Sequence, residues 1–470
     1  MFACANLGRM LRLLIAILLA ASALAARGPV YVVLWFDTED YIEPAADDAA
    51  LRIATELDKL GVRATFKVVG EKARVLESRG RTDVIRALGR HDIGYHSNFH
   101  SIQPTPALYL RGMGWLDGAA EFERRETPGV EDVRRIFGAT PSCYGQPGSS
   151  WAPQTFRALR HFGIPVYLDE GDHVGIGEQP VWFGGLLNVY SMGQYQLRAS
   201  LDDEAALPQA FEKFDHAAEQ LEAKGGGVIS IYYHPTEFVT TAFWDLNFAK
   251  GANPERADWK KPPRRTVEES ERCFRILTRY VEHAKSRPAV RFVTARELPP
   301  LYQSQAVRAA DRATVARHLS QRQTFLETDH GALSAAEMLE ILLGTEPALV
   351  EGPVSRAATT YHSENIPRPA FDRAKTDASD FIRVNRRLPA EVWIGSEKLS
   401  LADFTATLAA DTGGTPTVTV RKGNLEMERY VSTDPRTSFQ WPIHPEGFSA
   451  PELLELARLQ AWTLKPARLK

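Results

Sequence analysis

One stretch of the sequence decides the fold class: VYVVLWFDTED, at positions 30–40. Its first seven residues are apolar and rich in β-branched and aromatic side chains, as in a strand buried on both faces. Three carboxylates, Asp37, Glu39 and Asp40, follow directly. Functional groups of open α/β sheets and (β/α) barrels collect where buried strands end. These acids are therefore candidate site residues, although acidic residues also follow strands as ordinary solvated loops.

The same pattern continues along residues 28–300. A helical periodicity at 48–60 precedes a second predicted strand, ATFKVV at 64–69, and further strands are predicted before His96, at 228–233 and at 290–293. Alternation of strands and helices favours a parallel sheet or a (β/α) barrel.

Histidines follow two of the later strands. His96 and His100 are four residues apart, a spacing that on a helical turn brings both imidazoles to one metal ion. The chain has 12 histidines, so such a pair also arises by chance. His234 ends the apolar run at 228–233, where a single histidine is more often structural than catalytic.

Taken in order, these segments resemble the polysaccharide deacetylase family, the NodB-homology domain of carbohydrate esterase family 4. FDTED at 36–40 resembles its first motif, and HSNFH at 96–100 matches its second motif in full. PSCYGQPG at 141–148 lies where the third motif belongs, and His234 where the last one does. The resemblance covers about residues 28–300 and implies an α/β fold, a distorted (β/α) barrel of the polysaccharide deacetylase type.

The resemblance also implies an activity. It indicates a metal-dependent hydrolase of carbon–nitrogen, non-peptide bonds, which removes N-acetyl (or O-acetyl) groups from a cell-envelope or extracellular polysaccharide. His96, His100 and one carboxylate would hold a divalent metal ion, with zinc expected. Asp37 would be the general base and His234 the general acid.

The chain departs from the family pattern at two places. The usual carboxylate ligand directly follows the base, where this chain has Thr38; we take Asp40 as the ligand, with Glu39 as the alternative. In the third motif, Gln146 occupies the place of an arginine that orients the base. Glutamine can hydrogen-bond to Asp37 but brings no positive charge to it.

Three side chains near the motifs are candidate substrate-binding groups: Tyr95, Gln146 and Trp151. An aromatic ring suits the apolar face of a sugar, although aromatic residues serve core packing more often. Asp169 lies after another strand-like run, within a segment (169–173) that ranks lower as part of the site.

The N-terminus has the pattern of a secretory signal peptide, assigned to residues 1–26. Arg9 and Arg12 precede the apolar run at 13–19, and small residues end at Ala26. That run is shorter than the roughly 20 residues of a membrane span. We therefore expect export to the periplasm or the extracellular space, with no transmembrane segment after cleavage. The net charge of −3 does not suggest a nucleic-acid partner.

The alternation of predicted strands and helices ends after residue 300. Residues 27–300 are assigned to the catalytic domain and 301–470 to a smaller α+β accessory region. Within it, 303–345 looks helical and Ser334 with Glu337 predicts a capping box. Residues 382–404 resemble a pseudomurein-type cell-wall-binding repeat, which would tether the enzyme to its polymer.

Two other functions compete with the deacetylase. One is a metal-dependent amidase on a non-polysaccharide substrate, since a fold does not fix its substrate. The other is a catalytically inactive glycan-binding protein. Activity on glycans or on small amides separates the two enzymes, and turnover separates both from the binding protein.

Overall fold

The computed structural model describes residues 28–303, 309–322, 324–434 and 439–470. The predicted signal peptide at 1–26 lies outside these ranges. The strands are β1 Val30–Thr38, β2 Thr65–Val68, β3 Asp92–Tyr95, β4 Cys143–Tyr144, β5 Val166–Leu168, β6 Val181–Phe183, β7 Leu186–Val189, β8 Gln196–Leu197, β9 Gly227–Tyr233, β10 Val290–Val293, β11 Leu326–Thr328, β12 Gly331–Leu333, β13 Asn365–Pro367, β14 Glu391–Ile394, β15 Glu397–Ser400, β16 Thr417–Thr419 and β17 Lys465–Pro466.

Eleven of these strands form one sheet that curls into a half-barrel. Its order is β17-β6-β7-β5-β4-β3-β2-β1-β9-β8, with β10 beside the first half of β1. Along the run β5-β4-β3-β2-β1-β9-β8, neighbouring strands are parallel. In this sheet the antiparallel pairs are those that β6 makes with β7 and β17. This sheet confirms the predicted α/β class and its distorted barrel.

Strand β1 lies at the centre because its apolar residues can be buried on both faces. Val30 and residues 32–36 have no exposed surface, and their neighbours lie on β2 and β9. Phe36 stacks on Phe66 of β2, with ring centroids 5.0 Å apart. Trp35 stacks on Tyr232 of β9 at 4.8 Å. The carboxyl end of β1 is thus fixed at the middle of the curved sheet.

Helices cover the outside of this sheet and fill the C-terminal part. They are α1 Ala45–Leu60, α2 Gly70–Ser78, α3 Thr82–Leu88, α4 Pro106–Leu110, α5 Trp115–Phe137, α6 Thr155–His161, α7 Leu207–Ala223, α8 Val267–Ser286, α9 Leu298–Leu301, α10 Arg312–Gln321, α11 Ala335–Leu343, α12 Arg368–Asn385, α13 Leu401–Ala410 and α14 Pro451–Gln460. None of the helices within the described ranges has the length and apolar character needed to span a bilayer.

The described part of the C-terminal region is mixed α and β, with three two-stranded sheets. The stretch predicted as helical at 303–345 contains two helices, α10 and α11, separated by the hairpin of β11 and β12. The capping box at the start of α11 is confirmed, because Ser334 and Glu337 bond each other's backbone N–H groups.

This region is not structurally separate from the barrel. Strand β17 extends the main sheet, where Lys465 pairs with Trp182 of β6. Glu351, 1% exposed, accepts a 2.9 Å hydrogen bond from Trp115 Nε1 and forms an ion pair of 2.7 Å with Arg157. The parts of the chain before and after residue 300 therefore share one sheet and are joined by buried polar contacts, and the assignment of 301–470 as an accessory region stays a prediction.

Candidate active site

The candidate site lies in a cavity of about 780 Å³ at the carboxyl ends of the parallel strands. Its carboxylate and histidine lining comes from residues at or just after the ends of β1, β3, β5 and β9, together with one from a later loop: Asp37, Glu39, His96, His100, Asp169, Glu170, Asp172, His234 and Asp245. Parallel strands bring these ends to one edge of the sheet, which is where such folds place their sites.

Three of these side chains form a cluster that fits a divalent metal ion. Glu39 Oε2 lies 2.9 Å from His100 Nε2 and 3.3 Å from His96 Nε2. The three donor atoms lie within 4.8 Å of one another, and all three residues are buried. Two imidazoles and one carboxylate are a ligand set that zinc takes in catalytic sites, where further positions stay open to water and substrate.

The surroundings orient these donors toward one point. His96 Nδ1 lies 3.1 Å from the Gly145 carbonyl oxygen, and His100 Nδ1 lies 2.6 Å from Ser101 Oγ. Each contact leaves Nε2 facing the carboxylate, as outer hydrogen bonds to ligating histidines commonly do. Trp244 Nε1 donates to the other carboxylate oxygen, Oε1, at 3.1 Å. The cluster is therefore held by contacts on every member.

A tight loop, and not the predicted helical turn, brings the two histidines together. Ser97 and His100 both have left-handed backbone conformations, with φ of 64° and 59°. The loop is closed by a 3.0 Å hydrogen bond from the His100 backbone N–H to Ser97 Oγ. Non-glycine residues adopt this region only at a cost in free energy, and such strain often occurs at functional sites.

Electrostatics keeps the carboxylate of the cluster ionised. Burial raises the pKa of Glu39, but the charge and hydrogen bond of His100 and the hydrogen bond of His96 outweigh it and hold the pKa well below its usual range. The ionised form is the one that can ligate a metal.

Asp40, the ligand that the sequence predicts, does not face the histidines. Its Oδ1 accepts hydrogen bonds from the backbone N–H groups of Ile42 and Glu43, both at 2.9 Å. Its Oδ2 accepts from Thr236 Oγ1 at 2.8 Å. Both carboxylate oxygens therefore shape the loop after β1, and the alternative, Glu39, takes the place at the cluster.

A buried lysine lies against the candidate base. Lys67 Nζ is 2.9 Å from Asp37 Oδ1 and 2.7 Å from Asp169 Oδ2, and it also donates to the Leu168 carbonyl oxygen at 2.9 Å. Its side chain has no exposed surface. Burial lowers the pKa of Lys67, but Asp169 and Asp37 together raise it above its usual value, so the ammonium stays charged.

The positive charge beside the base therefore comes from β2 and not from the third motif. Gln146 lines the cavity, where its Oε1 accepts from the Tyr167 hydroxyl at 2.7 Å and its Nε2 donates to the Glu170 carbonyl oxygen at 3.0 Å. Gln146 brings no charge to the site, and the Lys67 ammonium supplies a cation beside Asp37 instead.

A second group of possible ligands, Asp37, His96 and Asp169, lies in the same cavity. The Lys67 ammonium lies within ion-pair distance of both carboxylates of that group. A metal cation placed there would be repelled by this buried charge, since Coulomb repulsion is strong where water is excluded. We therefore take Glu39, His96 and His100 as the candidate metal ligands.

His234 has the protonation state of a general acid. Its Nε2 lies 3.6 Å from Asp37 Oδ2, and its Nδ1 lies 3.0 Å from Glu237 Oε1. Burial lowers the pKa of His234, but the hydrogen bond and charge of Glu237 outweigh it and raise the pKa to about 9. Glu237 is itself held by Arg198 at 2.6 Å. The imidazole therefore carries a proton at neutral pH.

The aromatic candidates for substrate binding belong to the core. Tyr95 has no exposed surface, and its hydroxyl donates to Glu126 Oε2 at 2.6 Å. Trp151 is 1% exposed and stacks on His173, with ring centroids 4.2 Å apart. Both expectations are corrected for the same reason: the two rings are buried by packing inside the protein and leave no surface for a substrate.

Among the residues of the cavity region that the sequence did not reveal are Lys67, Tyr232 and Trp441. Tyr232 and Trp441 line the cavity, and Lys67 lies beneath its floor. A charged residue inside the apolar strand ATFKVV is a signal, because lysine is almost never fully buried unless it is paired. Nothing local in the sequence points to Trp441, which lies in the C-terminal region.

Comparison with known proteins gives fold-level similarities. No family model matches the chain, and no curated protein matches it. Among solved structures, a polysaccharide deacetylase (described as putative) from Mycobacterium smegmatis is 17% identical, with a TM-score of 0.33, over 57% of this chain and 87% of that one. A polysaccharide deacetylase (described as probable) from Pseudomonas aeruginosa is 14% identical, with a TM-score of 0.37, over 58% and 93%.

An allantoinase is similar to the same extent, at 15% identity and a TM-score of 0.37, over 57% of this chain and 89% of that one. These structures include proteins of the family that the sequence motifs resemble. Similarities of this size leave the function to be argued from the side chains of the site.

Replacing each of the two neighbouring acids tests which one ligates the metal. Glu39→Gln should weaken zinc binding at least about 100-fold, since losing even an outer partner of a ligand costs 10- to 100-fold. Asp40→Asn should keep the zinc affinity, because the Asp40 carboxylate bonds only the loop after β1 and Thr236. Calorimetric titration of the metal-free protein with zinc measures both. Zinc affinity lost in Asp40→Asn and kept in Glu39→Gln would reverse the choice.

Lys67→Met removes the cation beside the candidate base at nearly constant volume. We expect kcat to fall about 100-fold, the lower range for losing general base catalysis, with zinc content unchanged. Lys72→Met is the matched control, because Lys72 is equally buried and bonds Asp47 and the Asp40 carbonyl oxygen. An equal fall of kcat in both variants would show that Lys67 acts only through folding.

The raised pKa of His234 predicts an alkaline limb in the rate profile. The acid form is lost as pH rises through about 9, so kcat/KM should fall there. Glu237→Gln removes the carboxylate that raises this pKa, and the limb should move to lower pH. Profiles of kcat/KM against pH for the two proteins measure the shift. An alkaline limb at the same pH in both would contradict the assignment of His234 as the acid.

Proposed function

We propose that this chain is an exported, metal-dependent hydrolase that removes acetyl groups from the sugars of a cell-envelope or extracellular polysaccharide. One observation carries the proposal: a buried cluster fit for a divalent ion, a carboxylate base and a protonated histidine face a single cavity. The sequence motifs support the substrate class, and the N-terminal pattern at 1–26 supports export.

Glu39, His96 and His100 would hold the divalent ion, for which we propose zinc. The chemistry that such an ion supplies when bound is Lewis acidity, which polarises a carbonyl group and makes water more acidic. The residues of the cluster contribute by being pre-oriented. Trp244 and Ser101 hold the carboxylate and one imidazole in place.

Asp37 is the base in this proposal. Its Oδ1 is held by the Lys67 ammonium at 2.9 Å, so the carboxylate cannot rotate freely. Its Oδ2 faces His234. The base would take a proton from water as the water attacks the acetyl carbonyl, and Lys67 would keep the carboxylate aimed at that water.

His234 is the acid. Its protonated imidazole would give a proton to the sugar nitrogen (or oxygen) as the bond to the acetyl group breaks. Nε2 of His234 and Oδ2 of Asp37 are 3.6 Å apart, so both can reach groups on one reacting carbon. Water enters, acetate leaves, and the sugar keeps a free amine or hydroxyl group.

An amidase on a small substrate is the second candidate. It is favoured by one observation: residues 440–442 of the C-terminal region line the cavity and form a wall on that side. We also propose that residues 382–404 tether the protein to a cell-wall polymer, on the sequence resemblance of that segment.

Release of acetate tests the function. The zinc-loaded protein should release acetate from chitin oligomers, peptidoglycan or acetylated xylan, and Asp37→Asn should lower the rate at least about 100-fold while retaining zinc. Hydrolysis of small amides with none of the three glycans would instead establish the second candidate. Stoichiometric zinc with no turnover of any of these substrates would contradict both.

A further inference from the structure

A short segment of the C-terminal region forms one wall of the cavity. Gln440, Trp441 and Pro442 line the cavity together with groups from the barrel loops. We call residues 440–444 the wall segment. It lies about 290 residues after Gln146 in the sequence, yet both face the same space.

Hydrogen bonds join the wall segment to three different loops of the barrel. Gln103 Nε2 donates to the Ile443 carbonyl oxygen at 2.9 Å. The Lys250 backbone N–H donates to the Pro442 carbonyl oxygen at 2.6 Å. The Trp441 backbone N–H donates to Ser149 Oγ at 3.3 Å. These contacts hold the segment against the barrel loops, close to the candidate catalytic groups.

The wall segment is also packed against the barrel by apolar contacts. Ile443 is fully buried in an apolar cluster with Tyr41, Val69, Trp244 and Phe248. Close approach also depends on Gly148, which has φ of 45°. A Cβ atom at Gly148 would lie 2.6 Å from side-chain carbons of both Trp441 and Ile443. Only glycine lets the segment come this close.

The Trp441 indole is oriented relative to the candidate catalytic groups. Its Nε1 donates to Asp245 Oδ2, which also accepts from Ser101 Oγ at 3.4 Å, the serine that holds His100. The edge of the ring meets Phe243, with centroids 5.3 Å apart, and Phe243 meets His234 in the same way at 4.9 Å.

We propose that Trp441 is a specificity-determining residue, against which a sugar ring of the substrate packs, and that the wall segment ends the binding cleft on this side. The proposal rests on the proposed function. Tryptophan combines a large apolar face with a polar N–H, and here the N–H is already bonded to Asp245, so the ring is presented in one orientation. The substrate class that fits is a short acetylated oligosaccharide or the end of a chain.

The size of the cavity agrees with this class. About 780 Å³ lies within the 300–1,000 Å³ of sites that enclose small ligands. An internal sugar of a long polymer needs a cleft that is open at both ends. The wall segment, buried and bonded to three loops, blocks one of these ends.

Hydrolysis of N-acetylated chito-oligosaccharides from disaccharide to hexasaccharide tests the proposal. The wild type should favour the short members. Trp441→Ala should raise KM for the disaccharide about tenfold, as expected for the loss of one aromatic contact. It should also raise the ratio of kcat/KM for hexasaccharide over disaccharide about tenfold.

Two further variants make the result specific. Trp441→Phe keeps a ring and should keep the preference for short oligosaccharides. Leu349→Ala, a substitution of an exposed apolar residue in the same region but outside residues 382–404, should change nothing. An equal fall of kcat/KM at every length in Trp441→Ala, or no change at all, overturns the proposal.

Binding separates this proposal from the proposed function. If the wild type hydrolyses none of these oligosaccharides, and also neither peptidoglycan nor acetylated xylan, the proposed function fails. Whenever the series is not hydrolysed, calorimetric titration of the zinc-loaded Asp37→Asn protein with the same oligosaccharides decides the inference. Tighter binding of short members, lost in the Asp37→Asn/Trp441→Ala double variant, supports it. Binding independent of length, or no binding, overturns it.

Discussion

The buried ammonium of Lys67 is the interaction on which the arrangement of the site depends. A charge taken out of water needs partners, and this one has two carboxylates: Asp37, near the end of β1, and Asp169, directly after β5. In a flat sheet, β2 and β5 would lie about 14 Å apart, three strand spacings, which is farther than a lysine side chain reaches. The ion pairs therefore require the curl of the sheet, and they close the floor of the cavity.

The Lys67 ammonium also gives two neighbouring carboxylates different surroundings, so that Asp37 is the candidate base and Glu39 the candidate metal ligand. Because the Lys67 ammonium lies against both Asp37 and Asp169 and repels a second cation there, a divalent cation is directed to Glu39, His96 and His100. The candidate base Asp37 and the candidate ligand Glu39 come from the same strand end but have different electrostatic surroundings. The Lys67 ammonium thus lies beside Asp37, the position that a third-motif arginine has in the family that the motifs resemble.

Much of the frame could be predicted from local patterns. The apolar run of β1, the histidine pair and His234 each follow from residue type and position, since buried strands are continuous apolar runs and site residues follow them. The choice of Asp40 over Glu39 ignored one available signal. Side chains two apart on a strand face the same side, so Asp37 and Glu39 share a face where β1 ends.

The rest depended on tertiary contacts. Tyr95 and Trp151 lie beside the motifs in sequence, but their rings point into the core, which proximity in sequence does not reveal. Trp441 enters the cavity only because the C-terminal region folds back onto the barrel loops and extends the main sheet through β17. Domain boundaries inferred from composition cannot anticipate such a contact.

Anomalous diffraction at the zinc absorption edge, from crystals grown with zinc, tests the central claim most directly. The account predicts one peak within bonding distance of Glu39 Oε2, His96 Nε2 and His100 Nε2, with Lys67 still between Asp37 and Asp169. A peak between Asp37 and Asp169, with the lysine displaced, would contradict it.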